Sequence, residues 1–273
     1  MNDRVLMTLD ADGVAHVLLN RPDKMNALDP AMFDALRAVG AELQGMSPLR
    51  AVVLSGEGRA FCAGLDFGRF QKMGEGGVAV LPGPDLRQRT HGLANAPQQV
   101  AWLWHGLPVP VIAAVHGVAF GGGLQVALGA DLRFVTAQTR MSVMEIKWGL
   151  VPDMAGMVLM RQLLRGDVMR ELTYSGRIVQ GAEAVAIGLA TRLCDDPLAD
   201  ALALARQIAR SSPDAIRAAK RLLNQSPSDG PAAILQAESD EQYRLIGSAN
   251  QIEAARAGLE KRVPVFADAA ARP

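Results

Sequence analysis

Residues 117–131, GVAFGGGLQVALGAD, set three glycines between an apolar run and a short helical pattern. Glycines after a buried strand permit positive φ and let a ligand approach the backbone closely. A helix that begins there presents unpaired N–H groups and the positive end of its dipole. The arrangement suits an oxygen that bears or gains negative charge: a phosphate, a carboxylate or an enolate. The lysine and serine of a phosphate-binding P-loop are missing, and the G-x-G-x-x-G spacing is absent. A second small-residue segment, GEGRAFCAGLDF at 56–67, follows the strand-like RAVVLSG. Backbone N–H donors from two separate loops can form an oxyanion hole, worth about 3–4 kcal/mol per donor in acyl chemistry.

The elements that must hold these loops follow from the pattern around them. RVLMTLDADGVAHVLLN reads as two strands joined at Asp10–Gly13, a hairpin signal. LDPAMFDALRAVGAELQGM reads as a helix with Asp29 as N-cap and Pro30 in the first turn. Phe33, Leu36, Gly40 and Leu43 recur on one of its faces. RAVVLSG is almost wholly apolar, as expected of a strand covered on both faces. PVIAAVHG and DLRFVT read as further strands, with a helix from about Gly123 to Gly129 between them. The alternation predicts parallel strands with right-handed crossovers, an α/β class. Beyond about residue 198 only helical patterns remain. The glycine-rich stretch 68–84 has no period and reads either as a substrate-facing lid or as a surface insertion.

Bulk properties exclude several classes. The chain has 273 residues, 49% of them hydrophobic, ample for a large core. Its 28 basic and 28 acidic residues balance, so no overall field favours nucleic acid or an anionic membrane. Only Arg217, Lys220 and Arg221 gather on one helical stretch. Cys62 and Cys194 suggest no disulfide or metal pattern, and the first residues do not resemble a signal peptide. The expectation is a soluble cytoplasmic protein.

Taken together, the segments resemble the crotonase (enoyl-CoA hydratase/isomerase) superfamily. The resemblance is carried by LNRPDKMNAL, by FCAGLDF for the family's F-x-A-G-x-D, and by IAAVHGVAFGGGLQVALGADLRF for its A-V-x-G-x-x-x-G-G-G. LTYSGRIVQGAEAVAIGLATRL and AGLEKRVPVF extend it almost to the end. It implies a spiral of ββα units over 1–197, then a helical section, 198–273, that packs subunits as trimers or dimers of trimers. It implies an acyl-CoA thioester as substrate and no metal or cofactor beyond the CoA that arrives on it. The resemblance assigns the two oxyanion donors to the N–H groups of Leu65 and Gly122. It places Lys24 toward a CoA phosphate and the backbone at Ala27 and Ala63 along the adenine. Asp66, Gly121 and Gln125 join the substrate-binding positions.

The family pattern also bears on the acid and base. A typical hydratase has a glutamate two positions after the third glycine and a second glutamate twenty residues on. Here the first position is Gln125, whose amide cannot exchange a proton near neutral pH. The second is Glu145, the expected base. Asp153 matches an aspartate of the dienoyl-CoA isomerases and is a candidate partner, although it also suits a plain N-cap. Those isomerases usually carry an aspartate where Gln125 stands. The expectation is therefore a double-bond isomerase, with hydration as the alternative. A hydrolase, a dehalogenase or a non-catalytic CoA-binding scaffold is more distant. His116 reads as a satisfied core residue and Trp148 as core or pocket wall.

Overall fold

The computed structural model describes residues 4–68, 85–225 and 229–269. Most of the proposed lid, 68–84, lies outside the described residues.

Strands β1 (Val5–Leu9) and β2 (Val14–Leu19) form the expected hairpin. Its turn is closed by Asp10, whose Oδ1 accepts the N–H groups of Asp12 and Val14 at 3.0 Å each. β3 (Ala51–Gly56), β4 (Val111–Val115), β6 (Leu132–Val135) and β9 (Arg192–Leu193) then add in parallel. The six strands lie in the order β1-β2-β3-β4-β6-β9. A second sheet has the order β5 (Val118–Phe120), β7 (Arg140–Ser142), β8 (Val179–Gln180). Cys62 joins this second layer through a parallel bridge to Ala119. After β3, β4 and β6 the chain thus turns out of the large sheet into the small one, giving a repeating strand-pair unit. β5 has only three residues, too few for a period to mark it in the sequence.

Helix α1 (Pro30–Gln44) begins as expected, with Asp29 Oδ1 accepting the Met32 N–H at 2.8 Å. α2 (Ala96–Gly106) escaped the sequence reading, although Asn95 and Gln98 form a reciprocal capping box at its start. α3 (Gly122–Leu128) follows the glycines. The three helices pack on one face of the large sheet, where Val52, Leu54, Val111, Ala113 and Val115 meet Phe33, Leu36, Trp104 and Leu124. The alternate residues Ala51, Val53, Ile112 and Ala114 face the other side, under Ala201 and Ala205 of the helix Pro197–Ala209. That two-sided burial is why RAVVLSG reads as uniformly apolar.

After β9 only helices follow among the described residues: Pro197–Ala209, Pro213–Leu223, Gly230–Leu245 and Ala249–Glu260. The basic cluster on Pro213–Leu223 is consumed internally. Arg217 donates to the Leu49 carbonyl at 3.2 Å, Lys220 is buried against Asp131 at 2.8 Å, and Arg221 pairs with Glu241. No helix among the described residues is long and apolar enough to cross a membrane.

Candidate active site

The two segments expected to supply oxyanion donors are built from backbone. Residues 64–66 run beside Leu28, with Leu28 N–H donating to Gly64 at 2.8 Å and Asp66 N–H donating to Leu28 at 3.1 Å. That pairing uses the residues on either side of Leu65 and leaves its N–H directed away from Leu28. Gly122 opens α3, where no earlier helical carbonyl exists to accept its N–H. No hydrogen bond among the described residues uses either N–H. The two segments touch. Gly64 has φ +89°, and a Cβ on it would lie 2.5 Å from the Phe120 carbonyl and 3.6 Å from Gly122 N. Only glycine allows both the angle and the approach.

The Leu65 segment is anchored through side chains that the sequence motifs did not single out. Asn26 is buried in the left-handed conformation, φ +54°. Its Oδ1 accepts the Arg21 N–H at 2.7 Å and its Nδ2 donates to the carbonyls of Glu57 and Ala60. An asparagine tolerates this angle better than most residues, which is the one local signal for it. Arg21 donates to the Ala27 carbonyl at 3.1 Å and to Asp66 Oδ2 at 2.6 Å. Asp66, expected among the substrate-binding positions, is held by Arg21 next to Leu65. Burial works to raise the Asp66 carboxyl. The hydrogen bonds from Arg21 and Gly68 N–H, with the charges of Arg21 and Lys24, overcome it and hold the group below the usual range.

Lys24 is exposed on the short 3-10 turn Pro22–Lys24. Ala27 is buried, and Ala63 N–H donates to the Met25 carbonyl at 2.9 Å. Cys62 is buried beneath them, donates to the Asn26 carbonyl, and is pushed by burial up to about 12. It is inert as a nucleophile. His116 caps the Gly58 carbonyl at 2.8 Å.

The acid–base side is built from side chains. Glu145 begins the 3-10 turn Glu145–Trp148. Its carboxylate lies over Gly121, where an added Cβ would stand 3.4 Å from Oε1. Gly121 itself has φ +49° and hands its N–H to Ser142 at 3.0 Å. The base candidate thus sits one residue away from the Gly122 donor. Gln125 Nε2 donates to Glu145 Oε1 at 2.6 Å. Gln125 Oε1 accepts the N–H groups of Met154 and Gly156, at 2.8 and 2.9 Å. Between them Ala155 is left-handed, φ +68°. Glu145 Oε2 is buried without a hydrogen-bond partner among the described residues.

Burial pushes the Glu145 carboxyl above the ordinary range. The charge of Asp153 adds to this, while backbone N–H groups and Gln125 restrain it. Burial likewise raises Asp153, against a bond from its own N–H. Two carboxyls with raised proton affinity thus influence one another, and Glu145 lies over Gly121.

The family model for enoyl-CoA hydratase/isomerase matches residues 10–269. The chain belongs to the enoyl-CoA hydratase/isomerase family. A Bacillus subtilis relative, YngF, is 35% identical over 97% of this chain and 99% of its own length. The Mus musculus mitochondrial Delta(3,5)-Delta(2,4)-dienoyl-CoA isomerase is 30% identical, covering 91% of this chain and 77% of the mouse protein. A crystal structure of enoyl-CoA hydratase from Mycobacterium smegmatis has 29% identity and a TM-score of 0.81, covering 96% of this chain and 98% of that one. The ββα spiral is accordingly the crotonase fold. The enoyl-CoA hydratase/isomerase family acts on acyl-CoA thioesters.

Proposed function

We propose that this enoyl-CoA hydratase/isomerase family member shifts a double bond in an enoyl- or dienoyl-CoA. The observation that carries the reading is the state of Gln125. Its carbonyl oxygen is occupied by two backbone N–H groups and its amide is turned to Glu145. It therefore supplies no titrating group, and the carboxyls left for proton transfer are Glu145 and Asp153.

The thioester oxygen is received by the Leu65 and Gly122 N–H groups, which stabilise charge as it develops. Glu145 removes a proton from the activated carbon and the enolate forms against those donors. Asp153, kept protonated more readily than an ordinary aspartate, returns a proton further along the chain. CoA comes with the substrate, so the mechanism calls for no separate cofactor. Assembly as a homotrimer or homohexamer belongs to the same reading. Leu235, Tyr243 and Ile246 are 60%, 84% and 65% exposed on and just after the helix Gly230–Leu245, as a partner-facing surface requires.

The test is product mass after incubation with trans-2-enoyl-, 3-enoyl- and 3,5-dienoyl-CoA in isotopically labelled water. Conversion with exchanged protons and no added oxygen supports the isomerase. Gain of one labelled water overturns it in favour of hydration, and release of free CoA overturns it in favour of hydrolysis. Tight binding with no turnover marks a scaffold.

A further inference from the structure

We propose that Gln125 is a positioning residue that assigns the two oxygens of Glu145 their separate tasks and ties the Asp153 turn to them. The proposal rests on the isomerase reading and deepens it. Three hydrogen bonds meet at one carboxamide. Its Nε2 binds Glu145 Oε1 at 2.6 Å, and its Oε1 binds the N–H groups of Met154 and Gly156 at 2.8 and 2.9 Å. An amide is the neutral side chain of this size that donates on one side and accepts twice on the other.

The consequences differ at the two ends. At Glu145, Oε1 is occupied and Oε2 is the buried oxygen left without a partner. Oε2 is thereby the oxygen that takes the proton, and the carboxylate is kept from rotating by its bond through Oε1. At the other end the carboxamide braces a turn whose Ala155 holds a left-handed angle, φ +68°, that is unfavourable for a residue with a Cβ. Asp153 immediately precedes Met154, so the same amide fixes where the second carboxyl approaches. A Cβ on Gly156 would lie 2.7 Å from Gln125 Oε1, which shows how closely the turn is drawn in. The charged group acting on Glu145 from the facing turn is Asp153, while α3 presents the neutral Gln125.

Three variants separate positioning from simple packing. Gln125→Leu keeps the bulk and loses all three bonds; Gln125→Asn keeps the chemistry but falls one carbon short. Gln125→Glu keeps the acceptor for Met154 and Gly156 but must share a single proton with Glu145, because two carboxylates at that distance cannot both ionise. Proton exchange from solvent into the acyl chain is followed against pH for each. The expected result for Gln125→Glu is an acid limb of kcat displaced to higher pH with KM nearly constant. Gln125→Leu and Gln125→Asn should lose roughly tenfold or more in kcat, as a lost bond to a charged group predicts, at every pH. A wild-type pH profile in Gln125→Glu, or wild-type kcat in Gln125→Leu, overturns the proposal. If the wild type itself exchanges no proton on any enoyl- or dienoyl-CoA, the isomerase reading has failed. The positioning role is then judged without substrate, by titrating the ¹³C-labelled Glu145 carboxyl, assigned through its loss in Glu145→Gln. Movement of that titration to higher pH in Gln125→Glu upholds the role, and an unmoved titration overturns it.

Discussion

Two buried polar clusters in this molecule are made from similar groups and behave in opposite ways. Lys220 Nζ donates to the carbonyls of Trp104 and Val109, at 3.3 and 2.8 Å, and to Asp131 Oδ2 at 2.8 Å. Its three protons have three acceptors, and the same Asp131 oxygen also receives the Val111 N–H at 2.7 Å. At Glu145 the account does not close. Oε2 has no partner, Asp153 is a neighbour of like charge, and no ion pair among the described residues reaches either carboxylate. The closed cluster pins the C-terminal helices to the sheet. The open one leaves Glu145 with one unpartnered oxygen beside Gly121, the opening the proposed proton transfer would use. The difference lies in satisfaction, and burial is common to both.

The largest effect that tests this contrast is at Glu145. Glu145→Gln should lower turnover by about 10²–10⁴-fold, the usual contribution of a positioned base. It should also stabilise the protein near neutral pH. The folded pKa is raised above the unfolded one, so the folded chain holds the proton more tightly and stability falls as pH rises through that window. The thermal gain from the amide is therefore present above the raised folded pKa and vanishes below the ordinary glutamate value of 4.5. Melting curves at the two ends of that range check it; an equal gain at both would show that Glu145 is not electrostatically strained.

The closed cluster predicts the reverse. Lys220→Met leaves the partly buried Asp131 carboxylate without its cation and the Trp104 and Val109 carbonyls without their donor, and should cost about 1–3 kcal/mol in denaturant unfolding. The folded fraction should keep its kcat. Lys220→Met with Asp131→Asn should recover part of the loss, because the stranded charge goes with it. A single variant as stable as wild type would place this cluster with the open one.

The contrast also explains what could be read in advance. Elements governed by local pattern were legible: the Asp10–Gly13 hairpin, the Asp29 cap of α1, the apolar β3 and the helix after the glycines. The two glycine-bearing turns at Gly64 and Gly121 were legible because their positive φ and close backbone approaches call for glycine. The support for them was hidden in long-range contacts. Gln125 reaches partners 29 and 31 residues away, and Arg21 reaches Asp66 across 45. Ala155 gives no sign of its left-handed angle, since glycine, asparagine and aspartate are the residues that favour it. Lys220 reads as part of a surface cation cluster in sequence, and only the approach of Asp131, 89 residues before it, buries it.

A third substitution probes the backbone half of the site. Gly64→Ala meets φ +89° and the Phe120 carbonyl at 2.5 Å together, and should cost about 1–3 kcal/mol from the angle alone. Because Leu65 is the next residue, kcat should fall with it. A stable variant with full activity would show that the Leu65 N–H does not hold the developing charge.

The smallest effect on stability, and the finest distinction in chemistry, belongs to Asp153. Asp153→Asn removes a carboxyl whose ionised form burial disfavours, so it should leave stability unchanged or slightly higher at neutral pH. Glu145 loses a neighbouring like charge, and its proton affinity should fall toward the ordinary range. Proton removal at the first carbon then continues, while return of a proton at the distant carbon is lost. In deuterated water the expected outcome is substrate that gains deuterium at the first position and is recovered with its double bond unmoved. If conversion and exchange instead fall in parallel, Asp153 acts through Glu145, and both proton transfers pass through the single open oxygen of that carboxylate.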